Sequence, residues 1–388
     1  MPIKNRFAEL HPEITGWRRH LHTIPELQFD LPKTSAYVEG VLREMGIADI
    51  TTGIAQTGIV AVIEGRTNTS GRVIGLRADM DALPIEEATG LDYTSTHPGK
   101  MHACGHDGHT AMLLGAAKYL HETRNFDGKV VLIFQPAEEG GGGGRVMCDE
   151  GMMERWGVQE VYGMHNMPGT PAGDFHIRPG ALLASADQFD VVLTGKGGHA
   201  AAPHEAIDTN LAAAHVMVAL QSIASRNVDP LKQVVVSVCT LRSETNSHNV
   251  LPQTVLLRGT VRALDPEVRD LAQQRFEKIV SATAEAYGCT AAIDYQRGYP
   301  VTMNHAENTD FAADMAESVA GRVERNTVPI MAGEDFSFML EKRPGAYMFL
   351  GNGAGAHVHP PAYIFNDDII PAGCSWFAEI VEKRMPAA

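Results

Sequence analysis

Val130-Val131-Leu132-Ile133-Phe134-Gln135-Pro136-Ala137-Glu138-Glu139-Gly140-Gly141-Gly142-Gly143-Gly144 runs from unbroken apolar residues into two adjacent carboxylates and then a run of glycines. An apolar run of this length, rich in branched side chains, reads as a strand buried on both faces, as in open α/β sheets. Such sheets hold their ligands in loops at the carboxyl ends of the strands, which is where the glutamates fall. Adjacent side chains leaving a strand diverge, so one carboxylate can bind a metal while its neighbour faces the water as general base. Glycines let backbone approach closely, at an entropy cost that a plain surface turn need not bear. No Gly-Lys-Ser/Thr ending follows, which argues against a phosphate cradle.

Working outward, Phe7, Leu10, Ile14, Trp17 and Leu21 recur at steps of three and four and predict a first amphipathic helix. Thr34 or Ser35 is the expected cap of a second, whose apolar positions Val38, Val41, Leu42 and Met45 stop at Gly46. Strands are expected at 59–63, 73–76, 130–134 and 158–163, with a helix over 110–121. The periodicity then shifts in the middle of the chain, to strand 189–193, helix 211–223, strands 234–239 and 255–261, helix 268–287 and strand 291–295. That is the split β-α-β-β-α-β order of a ferredoxin-like domain. A helix at 311–319, strands at 328–331 and 347–350 and a helix at 375–384 then return to the α/β alternation of the first part. The expected fold is therefore α/β: a mixed-sheet catalytic, metal-binding domain from 1–184 and 298–388, interrupted by an inserted domain over 185–297.

Composition bounds the partners. The 388 residues, 44% hydrophobic, leave room for two domains. A formal charge of -15 argues against nucleic acid or an anionic membrane, both of which demand a basic face. No apolar run reaches the ~18 residues of a membrane span. Five scattered cysteines and a start without an apolar signal core predict a reducing cytoplasm.

A second polar segment, Ala103-Cys104-Gly105-His106-Asp107-Gly108-His109, reads as a loop that points Cys104 and His106 toward one ion, while His102 and His109 support them or cap the next helix. Asp79 and Asp81, just past a strand, are placed to orient a ligand histidine. His165, the Glu334-Asp335 pair and the His357-Val358-His359 segment each follow a predicted strand, so several polar segments converge on strand carboxyl ends.

Trp17-Arg18-Arg19-His20-Leu21-His22 with Pro25-Glu26-Leu27, the Arg77 to Pro84 segment, Met101 to His109, Gln135 to Gly140 and His357 to His359 together resemble the aminoacylase/carboxypeptidase-type family of dinuclear metallopeptidases. The resemblance is to the branch of hippurate hydrolases, N-acetyl-diaminopimelate deacetylases and auxin-conjugate amidohydrolases. It implies a zinc-exopeptidase-like catalytic domain with a lid or dimerisation insert. Cys104, His106, Glu139, His165 and His359 would hold two divalent ions, zinc, manganese, cobalt or nickel. Glu138 would be the general base. The loop Gly195 to His204 resembles the one whose histidine, His199 here, polarises the substrate carbonyl and arrives from a partner subunit in relatives. Asn249 and Arg262 match substrate-facing positions, with Arg262 a candidate for a substrate carboxylate. The substrate implied is an N-acyl amino acid, and the assembly a homodimer or larger homo-oligomer.

Rival readings are a dipeptidase, carboxypeptidase or N-carbamoyl-amino-acid hydrolase on the same scaffold, or a binding protein that needs metal but no Glu138. A cysteine hydrolase built on Cys104 and His106 lacks an orienting third group, and no Gly-x-Ser-x-Gly elbow supports a serine hydrolase.

Overall fold

The computed structural model describes residues 4–320 and 322–387. In chain order the principal elements are α1 (Asn5–Thr23), α2 (Pro32–Glu44), β1 (Asp49–Ile54), β2 (Gly58–Glu64), β3 (Val73–Asp79), α3 (His106–Thr123), β4 (Lys129–Gln135), α4 (Gly143–Asp149), β5 (Glu160–Pro168) and β6 (Phe175–His176). There follow β7 (Ser185–Thr194), α5 (Thr209–Leu220), β8 (Val234–Ser243), β9 (Thr254–Ala263), α6 (Pro266–Ala286) and β10 (Thr290–Tyr299). The chain closes with α7 (Ala306–Ala320), β11 (Val323–Glu324), β12 (Gly345–Gly353) and α8 (Ile370–Arg384).

Two compact units result. One comprises the chain up to Leu182, Met303–Val328 and the stretch from Asp335 onward; the other comprises Leu183–Thr302 with Pro329–Glu334. The return segment at 329–334 thus clusters with the inserted unit, because the Ala184 N–H bonds to the carbonyls of Ile330 and Ala332. The strand expected at 328–331 reduces to a single bridge between Ile330 and Leu183, since Pro329 has no N–H to offer a ladder.

The first unit is built on a mixed eight-stranded sheet in the order β1-β2-β4-β3-β5-β12-β6-β11. Its central strands β4, β3, β5 and β12 are mutually parallel, so their carboxyl ends share one edge. These strands are buried along nearly their whole length, as apolar runs covered on both faces must be. Helix α3 is enclosed so tightly that a Cβ on Gly108 would stand 2.2 Å from the Phe365 ring.

Two local expectations change. Helix α2 is not capped by Thr34 or Ser35; the Glu26 carboxylate accepts the N–H groups of Lys33 and Thr34, each at 2.9 Å, and closes that terminus from outside the helix. Helix α3 begins at His106 rather than near 110, because Gly105 at φ 98° turns the chain directly into it.

The second unit carries an antiparallel four-stranded sheet in the order β8-β9-β7-β10. Its first strand alternates buried and more open positions, as expected when one face packs on helices. Phe189, Val191 and Leu193 join Val216 and Leu220 of α5 and Phe276 and Val280 of α6 in one core.

Candidate metal centre

The parallel strands set the floor of the site. Asp79 ends β3, Gln135 ends β4 and His165 lies on β5, while Cys104 and His106 flank the Gly105 turn before α3. Cys104 Sγ stands 3.3 Å from His165 Nε2. The His165 Nδ1–H donates to the Asn166 carbonyl at 2.6 Å, which leaves the Nε2 lone pair facing the sulfur. The His359 backbone N–H donates to the Ala103 carbonyl at 2.7 Å and ties the far loop to the Cys104 loop. Its Nε2 lies 3.3 Å from Glu139 Oε1. His359 adopts φ 80°, a left-handed conformation uncommon for a side-chain-bearing residue and found most often where a site demands it.

Of five groups of donor atoms that each lie within 4.8 Å of one another among the described residues, three are built from the predicted ligands and Glu138: Cys104, His106 and His165; Cys104, Glu139 and His359; and His106, Glu138 and Glu139. The other two are Asp79, His106 and His109, and Glu138, Glu334 and Asp335. The structure therefore brings all five sequence-predicted ligands and Glu138 together, with the Cys104 sulfur shared between two triads. His357 stands exposed and joins none of these groups.

The chemistry of the donors fits divalent cations. Both ring nitrogens of His106 are buried without a hydrogen-bond partner, although Asp81 Oδ1 and Asp79 Oδ2 lie 3.4 and 3.6 Å away. Glu139 Oε1 is likewise buried without a hydrogen bond, although His359 Nε2 lies 3.3 Å away. Burial alone would lower the His106 pKa, but the carboxylates of Asp79, Asp81 and Glu139 outweigh it and raise it to about 10. Burial, reinforced by Glu139, Glu138 and Asp79, holds the Cys104 thiol well above the ordinary range. A pocket so rich in negative charge favours cations, and a cation there would make the thiol a thiolate.

The supporting shell is also built. Asp81 accepts the Glu138 and Glu139 N–H groups, each at 2.9 Å, and so orients the paired carboxylates as well as flanking His106. His109 is committed to protein: Nδ1–H donates to Asp79 at 2.6 Å and Nε2 accepts the Asn166 N–H at 3.0 Å. It supports the ligands and caps nothing. His102 lies buried with neither ring nitrogen hydrogen-bonded, and burial pushes it down to about 3, so it stays neutral. Asn166 donates to the Cys104 carbonyl at 2.6 Å and accepts from Tyr363 at 2.7 Å, fixing the thiol loop. Sequence pattern alone assigns no role to Asn166, Tyr363, Arg77 or Gln135. A polar residue inside or at the end of an apolar strand run, as at Arg77 and Gln135, is the signal that could have found two of them.

Within the inserted unit, Gly198–His199 pairs antiparallel with Val250–Leu251, and the Ala200 N–H bonds to the Asn249 carbonyl at 3.0 Å. His199 is exposed, and its Nδ1 accepts the Ala201 N–H at 3.1 Å, so a neutral ring carries its proton on Nε2. Arg262 is partly buried, donates to Thr260 at 3.0 Å and forms no ion pair among the described residues; burial lowers its pKa.

A mixed α/β sheet whose strand ends gather thiol, imidazole and paired acids around two overlapping donor triads defines a metallohydrolase. The chain belongs to peptidase family M20/M25/M40, whose model matches residues 75–383, and it is a hydrolase acting on amide bonds. It is 41% identical over 387 residues to hippurate hydrolase of Campylobacter jejuni, covering 99% of this chain and 100% of that one. It is also 41% identical over 379 residues to N-acetyl-L-cysteine deacetylase of Bacillus subtilis, covering 97% and 89%. Among solved structures, the Bacillus subtilis YXEP protein, a dinuclear metal-binding peptidase of the M20 family, superposes with a TM-score of 0.85 at 32% identity, covering 97% of this chain and 99% of that one.

Proposed function

We propose that this protein is a metal-dependent amidohydrolase that cleaves the amide bond of N-acyl amino acids, hippurate-like or N-acetylated, using two divalent ions per subunit. The observation that carries the reading is the pair of donor triads sharing Cys104, with Glu138 beside them. Cys104, His106 and His165 would hold one ion, and Cys104, Glu139 and His359 the other. Bound there, the ions supply Lewis acidity and a nucleophilic water at neutral pH.

The protein's own groups then divide the work. Glu138, oriented by Asp81 through its backbone, takes the proton from the attacking water and returns it to the leaving amine. His199, with its proton on Nε2, donates to the oxygen that becomes the oxyanion. Arg262, which donates to Thr260 and forms no ion pair among the described residues, pairs with the substrate carboxylate, and Asn249 contacts the substrate.

A homodimer formed through the inserted unit belongs to the same reading. Its sheet ends on the β8 edge, and Leu211, Val218 and Leu231 stand exposed in that unit. A cytoplasmic location suits a thiol ligand, since all five cysteines are free.

The test is a panel of N-benzoyl, N-acetyl and N-carbamoyl amino acids and dipeptides, assayed after chelation and re-addition of Zn²⁺, Mn²⁺, Co²⁺ or Ni²⁺. Metal-restored release of the free amino acid from the N-acyl substrates is expected. Activity confined to dipeptides or carbamoyl substrates, or hydrolysis that persists without metal, overturns the assignment. A monomeric mass by light scattering overturns the dimer.

A further inference from the structure

The turn that carries Glu138 and Glu139 is fastened to the sheet by a carboxylate with no part in the chemistry above. Asp335 is completely buried. Its Oδ1 accepts from Arg77 Nη2 at 2.9 Å and from Gln135 Nε2 at 2.7 Å. Its Oδ2 accepts from Gln135 Nε2 at 2.8 Å and from the Gly144 N–H at 2.8 Å. Gln135 is the last residue of β4 and Gly144 lies in the first turn of α4, so one side chain grips both feet of the 136–143 turn. Arg77 completes the clamp from β3, donating from Nε to Gln135 at 2.9 Å and from Nη1 to Asp79 at 2.8 Å.

The sequence leaves room for this approach. A Cβ on Gly144 would stand 2.8 Å from the Asp335 carbonyl oxygen, and one on Gly143 only 1.7 Å from the Pro136 oxygen. The crown of the turn is held separately, by Asp81. A buried charge is costly unless every lone pair and N–H finds a partner, and this pair is satisfied only when the turn sits as observed.

We infer that Asp335, together with Arg77, is a positioning residue for the reaction: it locks the 136–143 turn so that Glu138 and Glu139 present their carboxylates in one fixed arrangement. The inference rests on the reading of Glu138 as base and Glu139 as ligand.

Asp335→Asn removes the charge and keeps the shape, but turns an N–H₂ toward a donor of Arg77, Gln135 or Gly144. The expected result is a fall in kcat of about 10–100-fold on N-benzoylglycine with KM within about threefold, and a loss of Zn²⁺ affinity of about tenfold or more in competition with a chromophoric chelator. The exchange variant Gln135→Glu/Asp335→Asn gives the new N–H₂ a carboxylate to donate to, while one donor of Arg77 or Gly144 stays unmatched, and should recover part of both losses. A merely structural role would lower stability without that paired recovery. Should Asp335→Asn fold poorly by circular dichroism, Arg77→Lys, which keeps the charge and loses the fork, is expected to show the same losses in milder form. Wild-type kcat and Zn²⁺ affinity in folded Asp335→Asn, or an exchange variant no better than Asp335→Asn, overturns the proposal. If the native protein hydrolyses no N-acyl amino acid, the activity reading fails while the Zn²⁺ comparison still decides this one.

Discussion

Glu138 and Glu139 are neighbours in sequence with different environments. Both lie near His106, but Glu139 also reaches His359 and the Cys104 sulfur, whereas Glu138 faces Glu334 and Asp335. Opposed roles for adjacent carboxylates give a clean expectation: Glu138→Gln should lower kcat by about 10²–10⁴-fold while Zn²⁺ stoichiometry, read by mass spectrometry under native conditions, is unchanged. Undiminished hydrolysis by that variant would remove Glu138 as the base. Loss of metal along with activity would mean that it serves as a ligand instead. At this scale much was legible in the chain, because thiol, imidazole and carboxylate at strand ends have few other uses. The supporting residues were less so. Asn166 and Tyr363 look like ordinary strand and loop residues in sequence, and only their meeting, 197 positions apart, shows that they steady Cys104.

Elements were readable where the pattern was local. The alternation of β7 and the unbroken apolar run of β4 each state which faces are covered. Boundaries set by distant groups were not readable. Helix α2 has two residues suited to self-capping, yet its first N–H groups go to Glu26, which precedes the helix and is 5% exposed. A short-range rule has no means of seeing an acceptor delivered by a loop. Replacing Glu26 with Ala should therefore cost about 1–2 kcal/mol, in the range of a lost cap with some dipole compensation. All three tryptophans, Trp17, Trp156 and Trp376, lie in the first unit, so urea unfolding followed by their fluorescence reports this unit alone. An unchanged midpoint in Glu26→Ala would show that Thr34 or Ser35 takes over the cap.

For the whole molecule, the order of strand, insert and resumed strand was legible as a change of periodicity. The exact return of 329–334 to the inserted unit was not, because it depends on pairing across more than a hundred residues. The proposed ligands come from four separated segments, around Cys104 and His106, Glu139, His165 and His359, so bound metal would be coupled to the folding of the first unit. Chelation should lower the fluorescence melting temperature, and re-added Zn²⁺ should restore it in a concentration-dependent way; a melt indifferent to metal would deny the coupling.

The stability of that unit should also depend on pH through His22, which ties α1 to α3. Its Nδ1 lies 2.8 Å from Asp107 and its Nε2 3.2 Å from Glu87, all three side chains being almost wholly buried, with Arg18, Tyr93 and His102 facing the same pocket. Burial opposes protonation, but the two carboxylates prevail and raise the His22 pKa to about 9 from 6.5. Asp107 is correspondingly held below the usual carboxylate range, against the effect of its burial, by the same imidazolium, and the pair counts as one interaction. Because the folded pKa is the higher one, the stabilisation is complete below pH 6.5, declines as pH rises toward 9 and is gone above it. Its full extent is at most about 3 kcal/mol. Urea midpoints of the native protein, read by tryptophan fluorescence, should therefore fall between pH 6.5 and 9.5 more steeply than those of His22→Gln. Parallel profiles for the two proteins would mean that His22 is neutral in the fold and that Arg18 alone offsets Asp107.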